Sequence, residues 1–143
     1  MSHKVTTTWK ENMEFESDNP SGHTLMIDAG EDFGGNSNGL RPKAMMLSSL
    51  AGCSGLDVIS LLKKMRVEID DFKMIAEGFL TEEHPKYYHP VTVEYHFYGT
   101  GLNESKIEKA VDLSVERYCG VMEMFRQFAE VKNIYSLSRK IRY

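Results

Sequence analysis

The chain has two cysteines, Cys53 and Cys119, whose sulfur atoms are its strongest candidate nucleophiles. Cys53 lies midway along an apolar segment, where a cysteine is commonly a buried and inert core residue. Cys119 follows Arg117 and Tyr118 and precedes Gly120, at a predicted junction between two helices. Backbone N–H groups at a helix start stabilise a thiolate and lower its pKa. Cys119 is therefore the more interesting candidate for thiol chemistry, with simple packing as the alternative.

A disulfide between the two cysteines requires their distant segments to meet in the fold.

Asp57 lies four residues after Cys53 and hence on the same face of a helix. Its carboxylate either shapes the environment of the thiol or bonds a neighbouring backbone group. The histidines show no zinc-ligand spacing with either cysteine, so no metal site is predicted. These histidines are His3, His23, His84, His89 and His96.

Length and charge limit the class of protein. The 143 residues predict a single domain, residues 1–143. The formal net charge of -4 argues against non-specific binding to nucleic acid or to a membrane surface. The first residues contain no apolar run typical of a signal peptide, so a cytoplasmic location is expected. In that reducing compartment the cysteines are expected to be free, metal-binding or catalytic rather than a permanent disulfide.

Strands are predicted near the N-terminus. Alternation indicates a strand at residues 5–9, and residues 13–16 and 23–28 form a predicted hairpin around a turn rich in Asp, Asn, Pro and Gly. Residues 30–39 contain four glycines and predict a mobile loop, without the glycine spacing of a nucleotide-binding motif.

A long helix is predicted for residues 42–65. It begins at Pro42, since a proline in the first turn loses no hydrogen bond. Its residues are apolar nearly all round, which places it at the centre of the core. Serines, glycines and Asp57 interrupt the segment, so a core helix is favoured over a membrane span of about 20 apolar residues.

The rest of the chain predicts two strands, two helices and a last strand. Residues 67–80 and 91–98 alternate and are expected to pair antiparallel. A helix from residue 104 to about residue 118 and capped by Asn103, a short helix after Gly120 and a strand at residues 131–137 follow. This order indicates an α+β fold with antiparallel sheets packed around the long helix.

Two motifs resemble those of the OsmC/Ohr family. Residues 41–58, RPKAMMLSSLAGCSGLDV, are similar to the family's first-cysteine helix, in which a proline and small apolar residues precede the cysteine. Residues 111–121, VDLSVERYCGV, resemble its second-cysteine motif, a helix ending in Tyr-Cys. Trp9, the turn at residues 21–23 and residues 26–28 resemble one OsmC-like subgroup. The resemblance covers nearly the whole chain, and both cysteine motifs stand in the family's order and separation.

The resemblance implies an OsmC-like fold assembled as an intertwined homodimer, with two active sites at the interface. It implies that Cys53 is the peroxidatic thiol, which attacks an organic hydroperoxide, and that Cys119 is the resolving thiol. A dithiol reductant then restores both cysteines, and neither a cofactor nor a metal is needed. A peroxidase of this type would serve in the oxidative stress response.

The chain departs from the family pattern before the first cysteine. Family peroxidases place a glutamate just after the helix-opening proline and pair it with an arginine from the N-terminal hairpin. Here Lys43 and Ala44 follow Pro42, and no arginine precedes Arg41. Arg41 is therefore the predicted activating cation for Cys53, with Lys43 as the second candidate. The alternative is that both are ordinary solvated charges at a helix start.

Three hypotheses for function follow. The leading one is a thiol-based redox enzyme that reduces organic hydroperoxides. The second is a non-catalytic protein that binds a small apolar or thiol-containing ligand in the interface cavity, lined by flexible methionines. The third is a dimeric scaffold with inert thiols, which is disfavoured because both cysteines stand at motif positions. The methionines considered for the cavity are Met45, Met46, Met122 and Met124, for which core packing is the alternative.

Overall fold

A computed structural model of the chain describes residues 1–139, which divide into two compact units. The first unit comprises Met1–Met46 and the second begins at Leu47. The prediction of a single domain over residues 1–143 stays a prediction. Both cysteines lie in the second unit.

The first unit contains a three-stranded antiparallel sheet of β1 (Thr7–Glu11), β2 (Glu14–Asp18) and β3 (Thr24–Ile27) in that order. The β2–β3 hairpin confirms the prediction from the turn residues, because Asp18 pairs with Thr24 across it. The Gly-rich segment that follows has more regular structure than its glycines predicted, and its mobility stays a prediction. It contains a short 3₁₀ turn, Glu31–Phe33, and a parallel bridge between Ile27 and Leu40.

Helix α1, Pro42–Lys64, begins at the predicted proline and ends one residue before the predicted boundary. Its fully buried residues recur every fourth position, so they form one stripe along the helix. The other faces are half-buried or exposed in the single chain, although they too are largely apolar. By length and composition this helix could also cross a membrane, a criterion that the core helix of a soluble protein equally meets. The buried stripe consists of Leu50, Ser54, Val58 and Leu62.

The second unit contains a sheet with the order β4 (Asp71–Leu80), β5 (Tyr88–Tyr98) and β6 (Val131–Ser138). The predicted antiparallel pairing holds for β4 and β5, but β6 runs parallel to β5. The sheet is therefore mixed, which corrects the expectation of purely antiparallel sheets. The physical reason is the helical crossover between β5 and β6, since a parallel neighbour needs a long connection of this kind.

The crossover consists of α2 (Glu104–Leu113), a π-helical turn (Ser114–Tyr118) and α3 (Gly120–Arg126). The predicted cap of α2 is confirmed, because the Asn103 side chain accepts a hydrogen bond from the Lys106 N–H at 3.2 Å. The core lies between α1, the crossover helices and β5. Its largest fully buried side chains include Tyr95, Phe97 and Phe125.

Candidate active site

Cys53 and Cys119, which lie far apart in the sequence, have interacting side chains in the second unit. Cys53 is half-buried on α1, and Cys119 is almost fully buried between the π turn and α3. Both thiols are free. The Cys53 side chain raises the pKa of Cys119, so the two side chains are neighbours. The fold therefore brings together the two cysteines singled out in the sequence.

The position of Cys119 follows from how α2 ends. The Cys119 N–H donates to the Ser114 carbonyl at 2.9 Å, which closes the five-residue π turn. Cys119 itself has an extended backbone, with φ -78° and ψ 101°, and is the N-cap of α3. Its Sγ accepts a hydrogen bond from the Met122 N–H at 3.3 Å. The predicted location at a helix start is thus correct.

The helix start does not lower the pKa of Cys119 as expected, because burial outweighs it. Its part in thiol chemistry stays a prediction. Burial raises the pKa of Cys119 to about 11, and the Met122 N–H lowers it only in part. The interaction with Cys53 and the charge of Asp57 raise the pKa further. At neutral pH Cys119 is therefore a protonated thiol rather than an attacking thiolate.

Buried hydroxyl groups surround the cysteine pair. The Ser54 Oγ lies 2.7 Å from the Tyr95 hydroxyl and 2.7 Å from the Ser114 Oγ. Asp57 contacts the same cluster, with its Oδ2 3.2 Å from the Ser114 Oγ. We call Ser54, Tyr95, Ser114 and Asp57 the hydroxyl cluster. The charge of Asp57 also raises the pKa of Cys119. Its predicted role toward the Cys53 thiol stays a prediction.

Tyr95, Ser54 and Ser114 were missed by reasoning from the sequence. All three are fully buried, and burial raises the pKa of Tyr95 to about 12 despite the hydrogen bond with Ser54. The phenol is therefore protonated at physiological pH. The sequence contains only a weak signal for the cluster. Ser54 on α1 and Tyr95 on β5 are polar residues at positions of the apolar repeat. Serine and tyrosine are equally common at solvent-facing positions, so the signal does not predict a buried cluster.

Arg41, the predicted activating cation, has hydrogen bonds within the first unit. Its guanidinium donates to the Asp28 carbonyl at 3.3 Å, to the Gly39 carbonyl at 3.0 Å and to the Ser37 Oγ at 3.0 Å. These acceptors hold the side chain against the Gly-rich loop. The role of Arg41 toward Cys53 stays a prediction, and Lys43 is exposed.

Asp28 organises that loop and was also missed. Its side chain is almost fully buried, and its carboxylate accepts hydrogen bonds from the backbone N–H groups of Ala29, Asn36 and Asn38. The pKa of Asp28 is lowered, chiefly by the Asn38 N–H and against the opposing effect of burial. The carboxylate thus remains ionised and ties the loop together.

An open cleft of about 840 Å³ lies within the first unit. Its walls combine apolar side chains with charged groups of the Gly-rich loop. Among residues 1–139, no group of three His, Cys, Asp or Glu side chains is placed to hold a metal ion. The cleft is lined by Met13, Phe15, Ile27, Asp28, Ala29, Gly30, Glu31, Asp32, Phe33, Ser37, Arg41 and Pro42.

Comparison with known proteins identifies relatives of this chain. The family model described as OsmC-like protein matches residues 34–132. The protein YhfA of Escherichia coli K12 is 30% identical over 131 residues, covering 90% of this chain and 93% of YhfA. This agrees with the predicted subgroup, the one related to YhfA.

Solved structures agree on the fold. The crystal structure of a hypothetical protein from Aquifex aeolicus has a TM-score of 0.85 at 30% identity and covers 99% of each chain. A Legionella pneumophila protein, described as an organic hydroperoxide resistance protein and predicted redox protein, has a TM-score of 0.67 at 20% identity, covering 95% of this chain and 97% of that chain. The second likeness shows the fold alone.

Proposed function

Because the chain belongs to the OsmC-like protein family, we propose that it is a thiol-dependent redox protein that reduces organic hydroperoxides through Cys53 and Cys119. The observation that carries the proposal is the pairing of a half-buried thiol with a buried thiol held in its protonated form. The hydroperoxide resistance protein of the same fold supports the substrate class.

The proposed cycle has three steps. The Cys53 thiolate attacks one oxygen of the hydroperoxide, the O–O bond breaks, and an alcohol leaves after taking up a proton. Cys53 is now a sulfenic acid. The Cys119 sulfur attacks the Cys53 sulfur, a disulfide forms, and the hydroxyl of the sulfenic acid leaves as water with the proton of Cys119. A dithiol reductant returns both cysteines to thiols.

The surroundings of the two thiols support this division of roles. Cys119 is almost fully buried, so a hydroperoxide has little access to it. Its raised pKa also keeps it protonated and poorly nucleophilic toward peroxide. Its closeness to Cys53 favours interception of the sulfenic acid before further oxidation. The activating cation is proposed to be Arg41, in place of the family's Glu/Arg pair.

Homodimers are common in this family, and we infer a homodimer with the cysteine pairs near the interface. The apolar character of α1 supports this, because most of its surface is not buried within one chain. A cytoplasmic location is proposed with it, since a dithiol reductant and free thiols belong to a reducing compartment.

Cysteine variants test the proposed cycle. Cys53→Ser should abolish consumption of cumene hydroperoxide in the presence of dithiothreitol. Cys119→Ser should allow about one turnover and then leave Cys53 as a sulfenic acid that over-oxidises to sulfinic acid, detected by mass spectrometry. Ser48→Ala, which changes an exposed residue of the same helix, is the control and should retain wild-type activity. Undiminished consumption by Cys53→Ser would contradict the assignment of roles.

A second candidate function is binding of a small apolar ligand without catalysis, and the open cleft of the first unit favours it. Two phenylalanines of this cleft, Phe15 and Phe33, are partly exposed, at 37% and 80%. Saturable binding of the neutral dye Nile red, weakened by Phe33→Ser and not by Phe79→Ser outside the cleft, is the expected result. Equal binding by both variants would remove the cleft from consideration.

A further inference from the structure

The hydroxyl cluster joins the two segments that carry the cysteines. Ser54 directly follows Cys53 on α1, and Ser114 begins the π turn that ends beside Cys119. The two serine Oγ atoms are 2.7 Å apart and both residues are fully buried. A hydrogen bond between residues so close to the thiols couples the position of one cysteine to that of the other.

Tyr95 connects the Ser54–Ser114 pair to the sheet. Its hydroxyl lies 2.7 Å from the Ser54 Oγ, and its ring is fully buried in the middle of β5. Three elements therefore meet at the Ser54 hydroxyl: α1, the π turn and β5. Each buried hydroxyl has a partner, and losing one partner would leave a buried polar group unsatisfied.

Asp57 supplies an acceptor for Ser114 at one end of the hydroxyl cluster. Its side chain is half-buried and borders a cleft of about 280 Å³, so solvent reaches it. An ionised carboxylate only accepts, and it is a stronger acceptor for the Ser114 proton than the Ser54 carbonyl at 3.3 Å. The Ser114 Oγ can then accept from Ser54, and the Ser54 Oγ from Tyr95. The Tyr95 hydroxyl has a second acceptor, the Asn133 Oδ1 at 3.5 Å.

We propose that Ser54, Ser114 and Tyr95 are positioning residues for closure of the Cys53–Cys119 disulfide. The proposal rests on the proposed function, since it takes the two thiols to be a redox pair. A disulfide forms only within a narrow range of Cα separations and dihedral angles. The cluster holds the two thiol-bearing segments in this range, which raises the effective concentration of one thiol around the other.

Ellman's reagent tests this without any peroxide. The Cys53 thiolate attacks the reagent's disulfide and releases one nitrothiobenzoate anion, leaving a mixed disulfide on Cys53. Cys119 then attacks the Cys53 sulfur, which forms the protein disulfide and releases a second nitrothiobenzoate anion and a proton. The two releases appear as two phases of absorbance, and the slower phase reports closure.

Ser114→Ala and Tyr95→Phe each remove one hydroxyl and little volume. Both variants should slow the second phase about tenfold, the fold-change that corresponds to one lost net hydrogen bond, and leave the first phase unchanged. The double variant should be slowed by less than the product of the single effects, because both changes disable one cluster. Val91→Ala is the control, since it removes buried methyl groups from the same strand as Tyr95 and should leave the second phase unchanged.

A second phase within twofold of wild type in both hydroxyl variants would overturn the positioning role. So would equal slowing by Val91→Ala, because general loosening would then explain the effect. Release of only one nitrothiobenzoate anion per chain by the wild-type protein would instead overturn the redox pair itself, and the proposed function with it. A protein that closes the disulfide but does not consume hydroperoxide retains the positioning role and loses the substrate assignment.

Discussion

Cys119 has two features with opposite effects on its thiol. As the N-cap of α3 it receives the Met122 N–H, and a cysteine at a helix start is usually made more acidic in this way. It is also only 3% exposed, so a thiolate there would lose its contact with water. The loss of hydration exceeds one weak hydrogen bond to sulfur, and the pKa rises to about 11. A helix start therefore activates a cysteine only where solvent also reaches it.

The raised pKa of Cys119 predicts a pH profile. In the Cys53→Ser variant, the rate at which iodoacetamide alkylates Cys119 should rise about tenfold per pH unit from pH 7 to pH 9 without levelling, because the thiol remains mostly protonated in this range. Peptide mass spectrometry measures the rate. The same profile for a cysteine-containing model peptide, which levels near the ordinary thiol pKa of about 8.5, is the control. Levelling of Cys119 at or below that pH would contradict the prediction.

Arg41 is tested by the reactivity of Cys53. If Arg41 supplies the activating charge, Arg41→Ala should slow the alkylation of Cys53 by iodoacetamide at neutral pH by about tenfold or more, since a lost cation destabilises the thiolate. Lys43→Ala is the matched variant for the second candidate. An unchanged rate in Arg41→Ala would remove Arg41 from the thiol chemistry and favour the ligand-binding function.

Single residues were predictable where local chemistry decides their role. Asn103 is an example, because an N-cap depends only on the few residues that follow it. Asp57 was placed on the face of Cys53 by helix periodicity alone. The closeness of Cys53 and Cys119 could not be derived from spacing, because it depends on how α1 and the crossover pack. The buried Tyr95–Ser54–Ser114 contacts depend on the same packing and leave no local pattern.

At the scale of elements, the π turn is the feature that places Cys119. An α-helix continued through Ser114 would carry the following residues around at the usual 100° per residue. The Cys119 N–H bonds instead to the carbonyl five residues before it, and the backbone then becomes extended. Such single π turns are frequent at functional sites. Helix periodicity predicted a helix over this segment but could not predict the change in its hydrogen-bond pattern.

In the Gly-rich loop after β3, one carboxylate accepts backbone N–H groups that have no strand or helix partner. Its glycines predicted mobility, since they restrict the backbone little. The buried Asp28 carboxylate supplies the missing constraint, by accepting three backbone N–H groups of the loop. The sequence offers no periodicity from which these partners could be read, because the contacts reach up to ten residues along the chain.

Replacing Asp28 should loosen this loop. Asp28→Asn exchanges one acceptor oxygen for an NH₂ group that cannot accept from a backbone N–H. We expect faster amide hydrogen exchange at residues 29–38 and faster proteolysis in the loop, by about tenfold. Asp32→Asn, an exposed carboxylate of the same loop, is the control. Unchanged exchange in Asp28→Asn would show that the glycine-rich backbone holds its form without the carboxylate.

Because the pKa of Asp28 is lowered, the stabilisation of the loop by its carboxylate depends on pH. Because the folded pKa lies below the unfolded value of about 3.9, the stabilisation is complete above that value and is lost as the pH falls through the folded pKa. The wild-type loop should therefore remain protected from exchange down to about pH 4 and lose its protection below it. Asp28→Asn lacks this acid-dependent loss.

At the scale of the whole molecule, much of the apolar surface of α1 is not buried within a single chain. The helix is the most apolar segment of the sequence, yet its fully buried residues form a single stripe. Leu56 remains 76% exposed and Met46 46% exposed. An apolar helix face of this kind normally packs against another protein surface. Homodimers are common in the family, and a second copy of this chain on this face would account for the difference between the predicted central helix and the burial seen in one chain.

The dimer is tested by a charge on that face. Leu56→Lys should leave the fold intact, because Leu56 is exposed within the chain, and should dissociate the dimer by placing an unpaired charge in an apolar interface. Light scattering at micromolar concentration should give about twice the 16.3 kDa chain mass for the wild type and the single-chain mass for the variant. Leu80→Lys, an exposed leucine at the end of β4, is the control for a surface charge and should stay dimeric. A wild-type protein with the monomer mass would contradict the dimer and any active site at its interface. A Leu56→Lys variant that remains dimeric would show that the interface does not include this face of α1.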